Sequence, residues 1–278
     1  MNGLLSILVG GELDQGAIHG GATARRTVRI AVLASGGKDS SYAAWWASLQ
    51  GWEIVTLVTM GVQGSDSMMF QTQNTAVAGL QAASMGVPWL PVTTNGEEGL
   101  EIIDLERALS GPYSVGDSFQ AIWPESFTRP DCLELHDCLL DIDGLVVGAL
   151  RSDYQKTNIE IMCERLGISS FCPLWHHEPE NHMRSLLEHG FVVRFTSVSC
   201  EGLDEGWLGA TLTEQTLSEL EVLASEFRFN LDGEGGEFET IVTHGPHLKR
   251  VIHCEGDSSW EGSRGVWVLR SCSLREHR

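Results

Sequence analysis

The chain has 278 residues, of which 42% are hydrophobic and 20% charged, so it has enough apolar material for a packed core and is not a disordered chain. A formal net charge of −20 disfavours general nucleic-acid binding and docking on anionic membranes, because phosphate groups are repelled. The seven cysteines are scattered without a Cys-x-x-Cys pair, which disfavours a disulfide framework or a zinc ribbon and predicts reduced thiols. With no apolar run near the roughly 20 residues that span a bilayer, and no convincing signal peptide, we expect a cytoplasmic protein.

The first part of the chain alternates predicted strands with predicted helices. Residues 1–27 are rich in small side chains without a sustained period, and we interpret them as a loosely ordered arm. Apolar runs and helical periods then predict strand 28–34, helix 39–50, strand 54–60, helix 74–85, strand 89–92, helix 98–109 and strand 145–147. This alternation is typical of a parallel α/β sheet with right-handed crossovers. Residues 28–172 are therefore expected to form one α/β domain.

A change in the sequence pattern after Pro173 predicts a second domain. A helix that starts at Asp153 is expected to end at Gly167, which suits a C-terminal cap. Further along, the sequence predicts helix 180–188, strand 191–198, helix 213–227 and short strands at 251–252 and 266–269. We place the boundary near 170–175 and expect a smaller C-terminal α+β domain over 173–278.

A glycine- and serine-rich loop lies directly between the first predicted strand and the first predicted helix. Its residues are Ser35, Gly36, Gly37, Lys38, Asp39, Ser40 and Ser41. The two glycines permit a tight turn and close approach of the backbone to a ligand. The amides at a helix N-terminus, the three hydroxyls and the lysine suit an anion such as pyrophosphate, while Asp39 either caps the helix or helps to hold a metal. A simple capped glycine turn is the alternative, and this order of residue types favours the anion site.

A second polar segment, 148–156, follows predicted strand 145–147, at the sheet edge where open α/β sheets bind ligands. The side chains expected to face a nucleotide or an acyl group are Ser152, Tyr154, Gln155 and Lys156. An ordinary helix start, with Ser152 as the N-cap, explains the same residues without a function.

Three carboxylates lie close together in the glycine-rich segment 233–240, at Glu234, Glu237 and Glu239. If the chain is extended from Glu237 onward, Glu237 and Glu239 share one face, because side chains alternate along a strand. Paired acids bind Mg²⁺ or an ammonium ion, or take a proton from ammonium to release ammonia. A glycine-rich hairpin with solvated acids is the alternative that spacing alone leaves open.

The loop Ser35–Ser41 resembles the pyrophosphate loop of the N-type ATP pyrophosphatases, the PP-loop superfamily, and differs from the Gly-x-x-x-x-Gly-Lys-Ser/Thr loop of P-loop NTPases. Five further segments, in the same order, resemble the diphthine–ammonia ligase family: Met69–Asn74, Gly148–Lys156, Pro173–Trp175, Gly202–Gly209 and Gly233–Thr240. The resemblance runs from about Val28 to Ile252. Three residues depart from the family pattern of His, Pro and Arg, namely Gln71, Gln73 and Asn158. Asparagine lacks the charged, bidentate fork of arginine.

The resemblance implies a fold and a site. The fold is a Rossmann-like, HUP-type parallel sheet with the PP-loop, in which 28–172 bind ATP and 173–278 bind the substrate. The implied catalytic residues are Lys38, Glu237 and Glu239. The loop Ser35–Ser41 would hold the ATP phosphates with Mg²⁺, which Asp39 helps to bind. The implied residues of the substrate and nucleotide cleft are Ser152, Tyr154, Gln155 and Glu234.

The resemblance also implies a reaction, the ATP-dependent amidation of the diphthine carboxylate of elongation factor 2 by ammonium. An acyl-adenylate is the implied intermediate, and diphthamide, AMP and pyrophosphate are the products. Another adenylating PP-loop enzyme, acting on tRNA, is an alternative, although the chain lacks the cysteine pairs and basic surface that such an enzyme needs. A non-catalytic nucleotide sensor is the other alternative, and release of pyrophosphate distinguishes it from an enzyme.

Overall fold

The structure is a computed structural model that describes residues 26–63, 74–97 and 99–276. Most of the expected N-terminal arm, and the departures at Gln71 and Gln73, lie outside the described residues. Among the helices that are described, none is long and apolar enough to cross a membrane.

The first part of the chain forms a five-stranded parallel sheet with helices between its strands. In chain order the elements are β1 (Arg29–Leu33), α1 (Lys38–Leu49), β2 (Glu53–Val62), α2 (Val77–Met85), β3 (Trp89–Thr94), α3 (Leu100–Ser110), α4 (Val115–Ile122), β4 (Gly144–Val147), α5 (Asp153–Leu166) and β5 (Ser169–Phe171). The strand order is β3-β2-β1-β4-β5, and every pairing is parallel. The predicted Rossmann-like sheet is confirmed.

The central strand β1 is apolar because it is covered on all sides. Ile30, Ala31 and Val32 are fully buried, with β2 and β4 as neighbours and apolar side chains packed on both faces. After β1 the chain runs to one side through β2 and β3, and it then returns to the other side as β4. The loops after β1 and β4 therefore diverge, and such a switch point leaves a crevice at the carboxyl ends of the strands.

The second part of the chain forms a four-stranded antiparallel sheet with two helices and one short 3-10 turn. Its elements are α6 (Pro179–Glu188), β6 (Val192–Val198), the 3-10 turn Glu205–Trp207, α7 (Glu214–Phe227), β7 (Phe238–His244), β8 (Val251–Glu261) and β9 (Arg264–Arg275). The strand order is β7-β6-β9-β8. The predicted smaller α+β unit is confirmed.

The two sheets share one hydrophobic core. Val32 of β1, Leu80 of α2 and Phe195 of β6 belong to the same cluster of buried side chains. Hydrogen bonds also join the two parts: Ser84 Oγ at the end of α2 donates to the carbonyl oxygen of Arg250, and Arg250 N donates back to Ser84 Oγ, each at 2.9 Å. The crevice beside β1 therefore has a wall made by the second sheet.

Several elements differ from the sequence prediction, for local reasons. Helix α4 and strand β5 are too short to produce a clear hydrophobic period in the sequence, and neither was predicted. The helix predicted from residue 74 begins at Val77, because Asn74 has a φ of 59°. The helix predicted from residue 98 begins at Leu100, after Gly99 with a φ of 81°. Strands β8 and β9 are much longer than their predicted apolar cores, since much of their length is exposed and polar.

Candidate active site

A cavity of about 330 Å³ opens at the carboxyl ends of β1 and β4. The loop after β1, the first residues after β4 and the turn before β7 form its walls. Eight of the residues predicted to belong to a site line it: Ser35, Gly37, Lys38, Asp39, Ser40, Gln155, Glu234 and Glu239. The fold thus brings together three segments that are far apart in the sequence.

Gly36 fixes the shape of the loop between β1 and α1. Its φ of 86° is a left-handed conformation that favours glycine, and an added Cβ would lie 3.3 Å from Ala78 N. The carbonyl oxygen of Gly36 accepts hydrogen bonds from Gln81 Nε2, at 3.0 Å, and from Val242 N, at 2.9 Å. Helix α2 and strand β7 therefore both hold the loop through this carbonyl oxygen.

The serine hydroxyls of the loop bond mainly to the loop itself. Ser35 N donates to Ser40 Oγ at 3.2 Å, Ser40 Oγ donates to the carbonyl oxygen of Gly37 at 3.2 Å, and Gly37 N donates to Ser35 Oγ at 3.3 Å. Ser41, also predicted as a phosphate contact, does not line the cavity; its buried Oγ has no hydrogen-bond partner among the described residues. Hydrogen bonds within the loop thus fix its shape, and the first residues of α1 line the cavity.

Lys38 and Asp39 form an ion pair at the N-terminus of α1. Lys38 Nζ lies 3.0 Å from Asp39 Oδ1 and 2.8 Å from Asp39 Oδ2, although the lysine is only 5% exposed. Lys38 N also donates to Thr240 Oγ1 of β7 at 3.2 Å. The lysine ammonium is thus held in place at the cavity wall rather than free to rotate into solvent.

His182 of α6 is a third member of this group. Its Nε2 lies 2.7 Å from Asp39 Oδ1, and the residue is almost completely buried. Burial alone would raise the pKa of Asp39, but the charge of Lys38 and the contact with His182 outweigh it and hold that pKa below the usual value. Asp39 is therefore ionised at neutral pH and ties Lys38 to His182.

The carboxylate of Asp39, which is expected to help hold magnesium, contacts other side chains in this structure. Both carboxylate oxygens of Asp39 already accept hydrogen bonds from Lys38, and one of them also contacts His182. In the part of the chain that the structure describes, no group of three or more His, Cys, Asp or Glu residues is placed to hold a metal ion. A magnesium ion at Asp39 would therefore compete with Lys38 for the carboxylate, and the role of Asp39 as a magnesium ligand stays a prediction.

Gly148, directly after β4, explains how closely the second loop approaches the first. An added Cβ would lie 2.7 Å from both Asp39 C and Ser40 N, which is closer than real Cβ contacts come. The neighbouring atoms belong to the backbone of α1 and cannot turn away. A glycine is therefore required at this position to keep the N-terminus of α1 at the cavity.

An ion pair with a buried carboxylate attaches the turn before β7 to the segment after β4. The Arg151 guanidinium pairs with the fully buried carboxylate of Asp232 and donates to the carbonyl oxygen of His177 at 3.0 Å. Arg151 N donates to Glu234 Oε1 at 3.0 Å. Burial raises the pKa of Glu234, and the negative charges of Asp39 and Asp232 act in the same direction. These contacts of Arg151 hold Glu234 at the cavity, together with the loop after β1.

Glu237 and Glu239 do not form the pair that alternation along a strand predicts. Strand β7 begins at Phe238, and Glu237 Oε1 accepts hydrogen bonds from Asn230 N at 2.9 Å and from Asn230 Nδ2 at 2.8 Å. Glu237 closes the turn before β7 and does not line the cavity, whereas Glu239 does. Burial raises the pKa of Glu239, although Arg264 and Ser197 act in the opposite direction.

The other predicted cleft residues lie at the start of α5. Ser152 is the N-cap of this helix and accepts a hydrogen bond from Gln155 N at 3.3 Å. Of these residues only Gln155 lines the cavity; Tyr154 packs against the core of the first sheet. Asn158 Nδ2 donates to the carbonyl oxygen of Tyr154 one turn earlier, at 2.8 Å.

Four residues of the site were missed by the sequence analysis: Gln81, Arg151, His182 and Asp232. Two of them had a usable signal, because Arg151 lies within the segment 148–156 and Asp232 directly precedes Gly233. Gln81 lies in the largely apolar helix α2 and His182 is one of several polar residues in α6, and nothing in the local sequence marks either as part of a site.

The raised pKa of Glu239 predicts a pH-dependent stability difference for Glu239→Gln. Below the ordinary glutamate pKa of 4.5, folded and unfolded states of the wild type are both protonated at this residue, and the two proteins should have similar Tm values. As the pH rises, the unfolded carboxyl ionises first, so the wild type loses stability until the pH passes the folded-state pKa. We expect Glu239→Gln to have the higher Tm at pH 8, measured by thermal denaturation across pH 4–8.

The exposed Glu261→Gln variant, in the same sheet, is the control and should follow the wild type at every pH. If Glu239→Gln has the same Tm as the wild type at pH 8, the carboxylate of Glu239 is not destabilised by burial.

Comparisons with known proteins match both parts of the chain. Models of the diphthamide synthase N-terminal and C-terminal domains match residues 28–112 and 178–274. Diphthine–ammonia ligase from Rattus norvegicus is 30% identical over 233 residues, covering 81% of this chain and 82% of the rat protein. The Homo sapiens protein of that name is 29% identical over 233 residues, with the same coverage.

A solved structure from Methanocaldococcus jannaschii, described as a predicted subunit of a tRNA methyltransferase, is 17% identical with a TM-score of 0.35, and the match covers 78% of this chain and 99% of that chain. The two domain models and the rat relative decide the assignment, because they extend across most of the chain. The chain belongs to the diphthine–ammonia ligase family, a family of ligases that form a C–N bond.

Proposed function

We propose that this chain catalyses the ATP-dependent amidation of the diphthine carboxylate of elongation factor 2, with ammonium as the nitrogen donor. The products would be diphthamide, AMP and pyrophosphate. The observation that carries the proposal is the cavity itself, where Lys38 and the N-terminus of α1 face Glu234 and Glu239. One wall suits a chain of phosphates and the other suits a small cation, as a reaction that joins ATP, a carboxylate and ammonium requires.

In the proposed first step, the loop after β1 binds the phosphates of ATP. An oxygen of the substrate carboxylate attacks the α-phosphorus, and the bond to pyrophosphate breaks to give the acyl-adenylate. The backbone amides at the start of α1 and the ammonium of Lys38 stabilise the charge on the departing pyrophosphate. Asp39 orients Lys38, at 2.8 Å, before the nucleotide binds. Magnesium enters only as the counter-ion of ATP, and no step depends on a metal held by Asp39.

In the proposed second step, Glu239 is the acceptor for ammonium. Its Oε2 is buried and has no hydrogen-bond partner among the described residues, and the residue forms part of the cavity wall. Glu234 is already engaged by Arg151 N, and Glu237, although its own Oε2 is also unpartnered, lies outside the cavity. A carboxylate that binds ammonium can take one of its protons, and the ammonia formed then attacks the acyl carbon and displaces AMP.

We infer that the two parts of the chain have different roles. Residues 28–172 bind the nucleotide, and residues 173–278 bind the protein substrate and supply the acidic wall of the cavity. Elongation factor 2 acts during translation, so we place the reaction in the cytoplasm.

The test is a measurement of AMP and pyrophosphate with the purified full chain, ATP, ammonium chloride and elongation factor 2 that carries diphthine. We expect AMP to form only when both co-substrates are present, in a one-to-one ratio with amidated elongation factor 2 detected by mass spectrometry. Binding of ATP without AMP formation would contradict the ligase proposal and favour a nucleotide sensor. AMP formation with tRNA, and not with elongation factor 2, would favour a tRNA-modifying enzyme.

His182→Ala is expected to raise KM for ATP about tenfold, with a smaller effect on kcat, because a charge-assisted hydrogen bond that positions Asp39 is lost. His182→Gln, which retains a nitrogen donor on a long side chain, should recover part of the loss. The control is Met183→Leu, a volume-conserving change at the adjacent buried position. Equal KM values for His182→Ala and Met183→Leu would assign His182 to packing alone.

A further inference from the structure

Two cysteines face each other inside the second sheet, away from the cavity. Cys254 of β8 and Cys272 of β9 are register partners, and their sulfur atoms lie 2.7 Å apart. The residues are 6% and 0% exposed, respectively. No step of the proposed reaction uses either thiol.

The backbone shows which type of cross-strand pair this is. The carbonyl oxygen of Cys272 accepts a hydrogen bond from Thr128 N at 2.9 Å, on the side of β9 away from β8. The carbonyl oxygen of Cys254 accepts one from Arg194 Nη1 at 3.1 Å, and so is not directed at Cys272. Both carbonyl oxygens are occupied by groups outside the β8–β9 ladder, which identifies a non-hydrogen-bonded pair.

This type of pair has the spacing that a disulfide needs. Directly opposite residues in a non-hydrogen-bonded pair have Cα atoms about 4.5 Å apart, with their side chains closer than in a hydrogen-bonded pair. Disulfides join residues whose Cα atoms are roughly 4.4–6.8 Å apart. The strands therefore need no rearrangement for a bond between the two sulfur atoms, and no other cysteines in the described ranges are register partners.

We propose that Cys254 and Cys272 are a redox-active pair, which a small-molecule disulfide such as oxidised glutathione converts into a cross-strand disulfide. Cys254, the more exposed of the two, attacks as a thiolate, forms a mixed disulfide and releases one glutathione thiol. Cys272 then loses its proton and attacks the sulfur of Cys254, which releases the second glutathione thiol. Two protein thiols are oxidised and one glutathione disulfide is reduced to two thiols.

The environment of Cys272 controls the rate of this exchange. The hydrogen bond to Cys254 and burial both raise the pKa of the Cys272 thiol, while the nearby Arg194 acts in the opposite direction. Because only the thiolate attacks, oxidation of the folded protein is slow at neutral pH and becomes faster as the pH rises.

The disulfide would stabilise the strands next to the side of the cavity that contains Glu234 and Glu239. Strand β9 pairs with β6 through Val266 and Ser197, and Ser197 is in turn the register partner of Glu239. A bond that closes a hairpin of this size restricts the unfolded chain, and we expect it to raise the Tm by about 5–10 °C.

The test uses the full chain, unfolded in urea with reductant and then refolded in glutathione buffers from fully reduced to strongly oxidised. Refolding gives both thiols access to the oxidant before they are buried. Free thiols are then blocked with N-ethylmaleimide, and the protein is digested with trypsin. We expect the peptides 251–264 and 271–275 to appear as one disulfide-linked species under oxidising conditions, together with the higher Tm.

Cys254→Ser and Cys272→Ser should each lose the linked peptide and the rise in Tm, and the partner cysteine should be recovered blocked. Cys132→Ser, at an exposed cysteine, is the matched control and should behave as the wild type. Recovery of Cys254 and Cys272 as separate blocked peptides from oxidised, refolded wild type would overturn the proposal. If refolding fails, the folded protein is oxidised at pH 9 and digested in the same way. The presence or absence of the linked peptide then tests the proposal.

Discussion

AMP formation should fall by roughly 10²–10³-fold in kcat/KM when Lys38 is replaced by methionine. Lys38 is the one lysine or arginine that lines the cavity within the described residues, so in the proposed first step nothing else there would supply a full positive charge to the departing pyrophosphate. Methionine keeps most of the side-chain length and its packing beside Phe238. The measurement is steady-state release of AMP and pyrophosphate with elongation factor 2 and ammonium present.

The matched control is Lys249→Met, which removes an exposed lysine that does not line the cavity. It should retain wild-type activity, and both variants should unfold cooperatively in thermal denaturation. If Lys38→Met forms AMP at a rate within twofold of the wild type, Lys38 has no role in the proposed mechanism.

Gly148→Ala is expected to lower kcat/KM by about 10²-fold and the Tm by about 5 °C. The added methyl group would lie 2.7 Å from the backbone atoms Asp39 C and Ser40 N, so the N-terminus of α1 must move away from β4. A displacement of this kind would affect every contact that the start of α1 is proposed to make with a phosphate. Isothermal titration with ATP should show the loss directly, in the absence of the protein substrate.

Gly116→Ala in α4 is the control for a glycine whose added Cβ meets nothing within 4 Å. Alanine favours a helix, so this variant should bind ATP normally and be as stable as the wild type or slightly more stable. The explanation offered for Gly148 is wrong if Gly148→Ala binds ATP with wild-type affinity.

The parts of the site that the sequence could predict are those made by neighbouring residues. The segment Ser35–Ser41 follows a buried strand and runs into the first turn of a helix, and that local order is enough to place it at the carboxyl edge of the sheet. The same holds for Ser152, whose position before an acidic first turn identifies an N-cap. Periodicity and capping are local properties, and the fold class follows from them.

The contacts that could not be predicted join residues distant in the chain. His182 meets Asp39 across 143 positions, and Arg151 meets Asp232 across 81. Which polar side chain of a helix faces another segment depends on how the two sheets pack, and no local period records this. The alternation argument failed at Glu237 for a related reason: the turn that contains Gly236, with a φ of 81°, ends only at Phe238, where β7 begins.

The amide of Gln81 connects the two parts of the chain in a way that limits how members of this family can diverge. Its Nε2 donates both to the carbonyl oxygen of Gly36 in the loop after β1 and to that of Val242 in the second sheet. A hybrid protein that combined the first part of this chain with the second part of a distant relative would change the support beneath the loop without altering one loop residue. Recombination between relatives is therefore expected to yield active hybrids only when the segments around Gly36, Gln81 and Val242 are inherited together.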